Sequence, residues 1–161
     1  MIPAFLDHHL KPLIPQLPSY TRDSGHIVSI LETTPFAKDC ILVAIDVSNL
    51  YLNIPQDEGT AVWLDALQDH DLLPMSRELL QTLFDIVLKC DVFSFSTHTF
   101  QQTHGTVMGT KMAPSYVKLF MGNLEEKFLE KEPHRLDFWK RFIDDILCVW
   151  MGSLDGFKGV S

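Results

Sequence analysis

Two adjacent carboxylates, Asp144 and Asp145, stand inside an otherwise apolar, β-prone run, R-F-I-D-D-I-L-C-V-W, at residues 141–150. Val, Ile, Phe and Trp favour strands and Asp is accepted in turns, so the run is expected to form a β-hairpin with Asp-Asp at its tip. The preferred two-residue hairpin turns carry Asn-Gly or Asp-Gly, and two like charges on a tight turn are costly unless a cation sits beside them. Oxygen-only donors of this kind suit a hard divalent ion, Mg²⁺ or Mn²⁺. A third carboxylate, Asp46, ends the apolar run C-I-L-V-A-I-D at residues 40–46. Its length and β-branched content predict a central strand covered on both faces. Carboxylates on neighbouring strand ends can hold two divalent ions about 3.5–4 Å apart, an arrangement that serves phosphoryl transfer.

A glycine-rich stretch, G-T-V-M-G-T-K-M-A-P-S-Y at residues 105–116, is the other feature with chemical content. Its glycines let the backbone approach a ligand where side chains would block it, and they suit a tight strand-to-helix connection equally well. It is not a Walker phosphate loop, because G-x-x-x-x-G-K-[ST] is absent. Pro114 suits the first turn of a following helix, whose apolar face is Tyr116, Val117, Leu119, Phe120, Leu124 and Phe128.

Other elements must position these groups. Four prolines among residues 1–19 bracket one brief helix that stops before Pro12 and continues as an extended connector. Asp23-Ser24 can cap a helix through Ile27, Val28, Ile30 and Leu31. Tyr51 falls just past the end of the 40–46 strand. Residues 55–59 open a helix with acids in its first turn. Pro74-Met75-Ser76 starts a helix whose apolar stripe is Leu79, Leu80, Leu83, Phe84, Val87 and Leu88. Residues 92–95 and 97–102 suit two short strands around a polar turn.

The totals set limits. With 161 residues and a 46% hydrophobic composition, the chain can bury a core as one domain or part of one, and it is not disordered. No stretch has the apolar length of a membrane span, and the N-terminus has no basic lead of a secretory signal. Cys40, Cys90 and Cys148 lie far apart in apolar surroundings and suggest buried, reduced thiols of an intracellular protein, nuclear or cytoplasmic. The formal charge of −8, with no Lys/Arg cluster, sets the chain apart from stand-alone nucleic-acid binders, which depend on phosphate neutralisation. Any nucleic-acid role must borrow positive charge from metal ions or from further protein.

Taken together, D-V-S-N-L-Y at residues 46–51, Gln102 with G-T-V-M-G-T-K-M-A-P, and F-I-D-D at residues 142–145 resemble three motifs of the reverse transcriptase palm. The wording of the glycine-rich motif, and L-D-H-H-L-K-P-L with L-P-S-Y-T-R-D-S near the N-terminus, resemble Penelope-like retroelements, relatives of telomerase reverse transcriptase. That resemblance implies an α+β palm, a ferredoxin/RRM-like antiparallel sheet backed by helices, with incomplete fingers and no thumb. Residues 1–38 would be partial fingers and connector, and residues 39–161 the palm. It implies RNA-directed DNA synthesis from an RNA template, a DNA primer and dNTPs, using two Mg²⁺ or Mn²⁺ ions and no membrane. Asp46, Asp144 and Asp145 would be catalytic and, with the Val47 carbonyl, would hold the metals. Tyr51 would pack under the incoming sugar, and Gln102, Gly105, Gly109, Ala113 and Pro114 would shape the floor for template and nucleotide. Val107 and Val117-Lys118 depart from the family's usual residues. The rival expectations are a truncated, non-catalytic remnant that binds nucleic acid or protein, and a phosphoacceptor domain. The latter explains neither the glycines nor Tyr51, and no strand-ending Lys follows Asp145.

Overall fold

The computed structural model describes residues 1–69, 75–90, 92–131 and 136–152. Their contacts form two compact units that interleave along the chain, Met1–Ile14 with Asn49–Met121 and Pro15–Ser48 with Gly122–Ser161.

The second unit is built on a three-stranded antiparallel sheet of β1 (Cys40–Asp46), β4 (Leu136–Phe142) and β5 (Asp145–Met151), in the order β1-β5-β4. The 40–46 strand forms with the expected bounds, but its expected central place belongs to β5. Ile146, Cys148, Val149 and Trp150 of β5 are buried. By contrast, β1 is an edge strand with one neighbour among the described residues, and Leu42 is 61% exposed. An unbroken apolar run records hydrophobicity and not the number of neighbours, so a half-covered edge strand can carry the same pattern as a buried one.

The C-terminal part of α6 (Ala113–Leu129) packs on β4, its Phe128 ring 5.4 Å from that of Trp139. The same helix carries Glu125 into the interior, where Arg141 Nε donates to its Oε1 at 2.7 Å and Nη2 to its Oε2 at 3.2 Å. Trp139 Nε1 (2.9 Å) and Ser19 Oγ (2.6 Å) donate to the same carboxylate. The two charged side chains are 2% and 5% exposed, so the pair is desolvated and satisfied at once. Residues 19–21 run beside β4 and hold it there. Arg141 N donates to Ser19 O at 2.8 Å, and Thr21 Oγ1 donates to Arg141 O at 2.9 Å. Upstream of β1, α2 (Ser24–Thr33) is capped as expected, Asp23 accepting from His26 N at 2.8 Å.

The first unit is mainly helical. After α1 (Ile2–Leu10), Lys11–Gln16 coils into a 3-10 helix where an extended connector is expected, since the fixed φ of Pro12 and Pro15 suits a tight helix as well as an extended chain. One helical turn, α3 (Leu50–Asn53), leads to α4 (Gln56–Asp69) and α5 (Arg77–Lys89). Trp63 of α4, Phe84 of α5 and Tyr116 of α6 form the core, Trp63 and Tyr116 stacking at 5.6 Å. Burial pushes the Tyr116 phenol above its usual range, and its hydroxyl donates to Gln56 O at 3.2 Å. Gly59 makes room for that hydroxyl, since a side chain there would overlap it. The α5 stripe buries Leu80, Phe84, Val87 and Leu88 but leaves Leu79 exposed. Ser76 caps this helix; Pro74, expected to start it, lies outside the described residues. The hairpin of β2 (Val92–Phe95) and β3 (His98–Gln101) forms a separate two-stranded sheet. No described helix is long and apolar enough to cross a membrane.

The thiols differ from the expected buried trio: Cys148 is buried, Cys40 half-buried and Cys90 exposed at the end of α5. Burial pushes the Cys148 thiol up to about 11. At pH 8 a thiol reagent is therefore expected to modify Cys90 first and Cys148 only on unfolding, followed by mass spectrometry of timed samples. Replacing Glu125 by Ala strands the buried guanidinium and is expected to cost about 3–5 kcal/mol in urea unfolding. The charge-free pair Glu125→Leu with Arg141→Met should restore most of that loss; equal stability of Glu125→Ala and the native chain would show the pair to be idle.

Candidate active site

Asp46, the last residue of β1, and Asp145, the first of β5, are direct partners in the antiparallel register. Such partners project from the same face with Cβ atoms about 4.5–5.5 Å apart, and two like charges so placed destabilise the sheet on their own. The hairpin closes with Phe142 opposite Asp145, so its two-residue tip is Ile143-Asp144 and not Asp144-Asp145. The adjacent aspartates thereby divide between the turn and the strand.

Ile143 has a φ of 59°, a left-handed conformation that is strained for a β-branched residue, at a cost of order 1–3 kcal/mol. Two hydrogen bonds hold it. Arg141 Nη1 donates to Ile143 O at 3.0 Å, and Val47 N donates to Asp144 O at 3.1 Å. The first ties the turn to the buried Arg141–Glu125 pair; the second ties it to the end of β1.

Asp46 and Asp145 are exposed and Asp144 half-buried, and none of the three carboxylates has a hydrogen bond or ion pair among the described residues. Exposed oxygen donors at register-matched strand ends, with no ion pair among the described residues, fit hard divalent ions in donor chemistry. Among the described residues, no three His, Cys, Asp or Glu side chains are gathered closely enough to form a finished ligand group. The strand register thus sets Asp46 opposite Asp145, while the carboxylates are not gathered into one group.

In the other unit, Asn49 takes a left-handed conformation (φ 52°) that starts α3 and leaves Tyr51 half-buried. Tyr51 O accepts from Thr106 N at 2.7 Å. Gly105, at φ +73°, lies so close that a Cβ would sit 2.6 Å from Tyr51 O and 2.7 Å from Leu52 Cα. The surface that Gly105 approaches is thus the chain's own α3 backbone. Gln56, which the sequence reading does not single out, secures the same point, its Nε2 donating to Gly105 O (3.0 Å) and Leu88 O (3.1 Å). A Gln beside the acidic helix start carries no signal that its amide is buried.

Gly109 is the opposite case: φ is +93° and nothing lies within 4 Å of where a Cβ would be, so the space over it is open. Ala113 is buried where α6 begins, Pro114 is exposed, and Ser115 Oγ donates to Asp7 Oδ1 at 2.6 Å. Gln102 donates to His104 O at 2.8 Å and lines a cleft of about 470 Å³ with Gln56, Asp57, Glu58, Lys89 and His104. Lys89 bridges Asp57 and Asp85, each at 2.9 Å, and hydrogen bonds to them raise its pKa.

An antiparallel sheet backed by a helix, with one aspartate ending a strand and two more at the facing hairpin, is the architecture of a polymerase palm. Solved structures share the fold. The apo telomerase from Candida tropicalis matches over 99% of this chain and 32% of its own, with a TM-score of 0.70 and 11% identity. Telomerase from Candida albicans in complex with a TWJ fragment of telomeric RNA matches over 99% and 32%, with a TM-score of 0.69 and 13% identity. The chain therefore spans about a third of the telomerase chains that it matches. Residues 2–155 match the family described as reverse transcriptase (RNA-dependent DNA polymerase), and the chain belongs to that family. No curated protein matches it in sequence.

The two glycines separate packing from conformation. Gly105→Ala is expected to lower the urea midpoint much more than Gly109→Ala, whose cost is the left-handed backbone alone, about 1–2 kcal/mol. Equal losses would remove the close contact with α3 as the reason for Gly105.

Proposed function

We propose that this chain is the palm of a retroelement reverse transcriptase of the Penelope-like kind, transferring a nucleotide from a dNTP to a primer 3′-hydroxyl on an RNA template. The observation that carries the reading is the register-matched pair Asp46 and Asp145, with Asp144 on the adjoining turn and no protein cation to neutralise them among the described residues. Asp46, Asp144 and Asp145, with the Val47 carbonyl, would hold two Mg²⁺ or Mn²⁺ ions. When bound, such ions supply activation of the attacking hydroxyl and stabilisation of charge on the departing phosphate oxygen.

The chain's own residues take the remaining roles. Tyr51 packs under the incoming sugar and disfavours a 2′-hydroxyl. Gly109 and Pro114 offer an open, exposed floor, while Gly105 and Ala113 set the course of the loop beneath it. Gln102 contributes from the rim of the neighbouring cleft. Residues 1–38 act as connector and partial fingers, residues 39–161 as the palm, and a longer chain supplies further fingers and thumb. The telomerase in complex with RNA supports an RNA-binding role for this fold.

The formal charge of −8 favours a second reading, a non-catalytic palm retained as a binding module. Primer extension on poly(rA) with an oligo(dT) primer, dTTP and Mg²⁺ or Mn²⁺ separates the two. The polymerase reading expects extension that falls at least about a thousandfold in an Asp144→Asn, Asp145→Asn variant, consistent with loss of a dominant electrostatic contribution. A folded chain that extends no primer would favour the binding module.

A further inference from the structure

The β2–β3 hairpin has two unlike faces. Its register pairs Phe93 with Phe100 and Phe95 with His98, so these four rings lie on one face, with Val92, Ser94, Thr99 and Gln101 on the other. Phe93, Phe95 and Phe100 are 52%, 74% and 46% exposed. Phe93 and Phe100 stack at 5.6 Å with their planes 23° apart, and His98 lies 6.3 Å from Phe100. A two-stranded hairpin gains little stability from rings left in water, so this face is built for an occupant.

Charge narrows the choice of occupant. Residues 92–124 contain no Asp or Glu, although the chain has 21 and an even spread would place about four there. The stretch carries His98, His104, Lys111 and Lys118 instead. The stretch itself therefore adds no carboxylate that would repel a polyanion, and the nearest acids across from it are Asp57 and Glu58, which share a cleft with Gln101 and Gln102. The hairpin also leads directly into Gln102 and the glycine-rich loop.

We propose that the Phe93, Phe95, His98 and Phe100 face is a stacking platform for unpaired bases of a single-stranded nucleic acid, the template in the polymerase reading of the preceding subsection, on which this rests. Every base has a π-face, so stacking on exposed rings is tolerant of sequence and independent of basic patches. It supplies affinity by a route open to a chain of negative net charge.

The test is fluorescence anisotropy with a labelled 15-nucleotide oligo(rA), the same length of oligo(dA), and an abasic strand of that length. It compares the native chain with Phe95→Ala/Phe100→Ala and Phe95→Leu/Phe100→Leu. Both substitutions fall on exposed side chains, and circular dichroism checks that each variant is folded. The Leu variant keeps apolar area and loses only the ring. The platform expects base-containing strands to bind roughly tenfold or more tightly than the abasic strand, and both variants to lose that advantage. Similar loss with RNA and DNA fits stacking, and loss confined to RNA fits a platform that also selects the template sugar. No binding by the native chain, equal binding of the abasic strand, or native-like binding by the Leu variant would overturn it. Self-association that the Ala variant alone disperses would overturn it in favour of a docking face for a second copy. Single-nucleotide extension on a template with a one-base overhang reads the chemistry apart from the platform. Extension without ring-dependent binding rejects the platform and keeps the polymerase reading; ring-dependent binding without extension does the reverse.

Discussion

A guanidinium and a carboxylate removed from water must satisfy each other, and in this chain that requirement fixes the β4–β5 hairpin. Glu125 accepts from Arg141, Trp139 and Ser19, so one helical side chain gathers two residues of β4 and the segment that runs beside it. Arg141 uses its remaining reach to bond Ile143 O. The buried pair thereby extends to the turn itself. A buried ion pair is seldom the most stable choice for a core, since apolar residues of the same volume do as well or better. What it supplies here is direction, because a guanidinium with fixed partners can hold a strained carbonyl where an aliphatic side chain cannot.

Two unfavourable features meet at that turn: a left-handed Ile143, and like charges placed opposite each other at Asp46 and Asp145. Neither improves the folded state by itself. Strain and crowded charge of this kind persist where the surroundings over-determine them, and they cluster at functional sites. The inference runs from the observed outlier to function, and membership of the reverse transcriptase family gives it a chemical content. The sheet holds the backbone of the three aspartates, through the Val47–Asp144 hydrogen bond and the strand register, while Asp46 and Asp145 stay exposed and Asp144 half-buried. With such a division the three carboxylates could turn toward a bound divalent ion without a change in the sheet.

Much of this was legible before any coordinates. The 40–46 strand, the capped helix after Asp23, the α5 stripe and the 92–101 hairpin follow from periodicity, caps and turn residues. The misreadings share one cause, that local pattern does not report neighbours. The run at 40–46 has the hydrophobicity of a central strand, yet among the described residues only β5 pairs with it. Asp-Asp suggests a turn, but strand pairing carries β5 back to Asp145 and leaves Ile143 at the tip. Glycine type alone could not say what approaches Gly105; the answer, the carbonyl of Tyr51, comes from a segment more than fifty residues away. Glu125 is likewise invisible in sequence, because a glutamate in a helix is ordinarily a solvated one.

The acidic total first seems to stand against nucleic-acid chemistry, since affinity for a polyanion usually scales with the phosphates neutralised. Net charge, however, is a sum over the whole chain, whereas a strand of nucleic acid meets one surface. Here the acids are absent from residues 92–124, which contain the aromatic hairpin, Gln102 and the glycine-rich loop. The contacts open to that stretch are stacking on rings and close approach to bare backbone at Gly109, and neither depends on salt as phosphate pairing does. Where negative charge is concentrated, at Asp46, Asp144 and Asp145, it is the type of charge that divalent ions require. On the proposed reading an acidic palm is consistent in its physics: the carboxylates would serve the ions, and the aromatic and glycine surfaces would serve the bases.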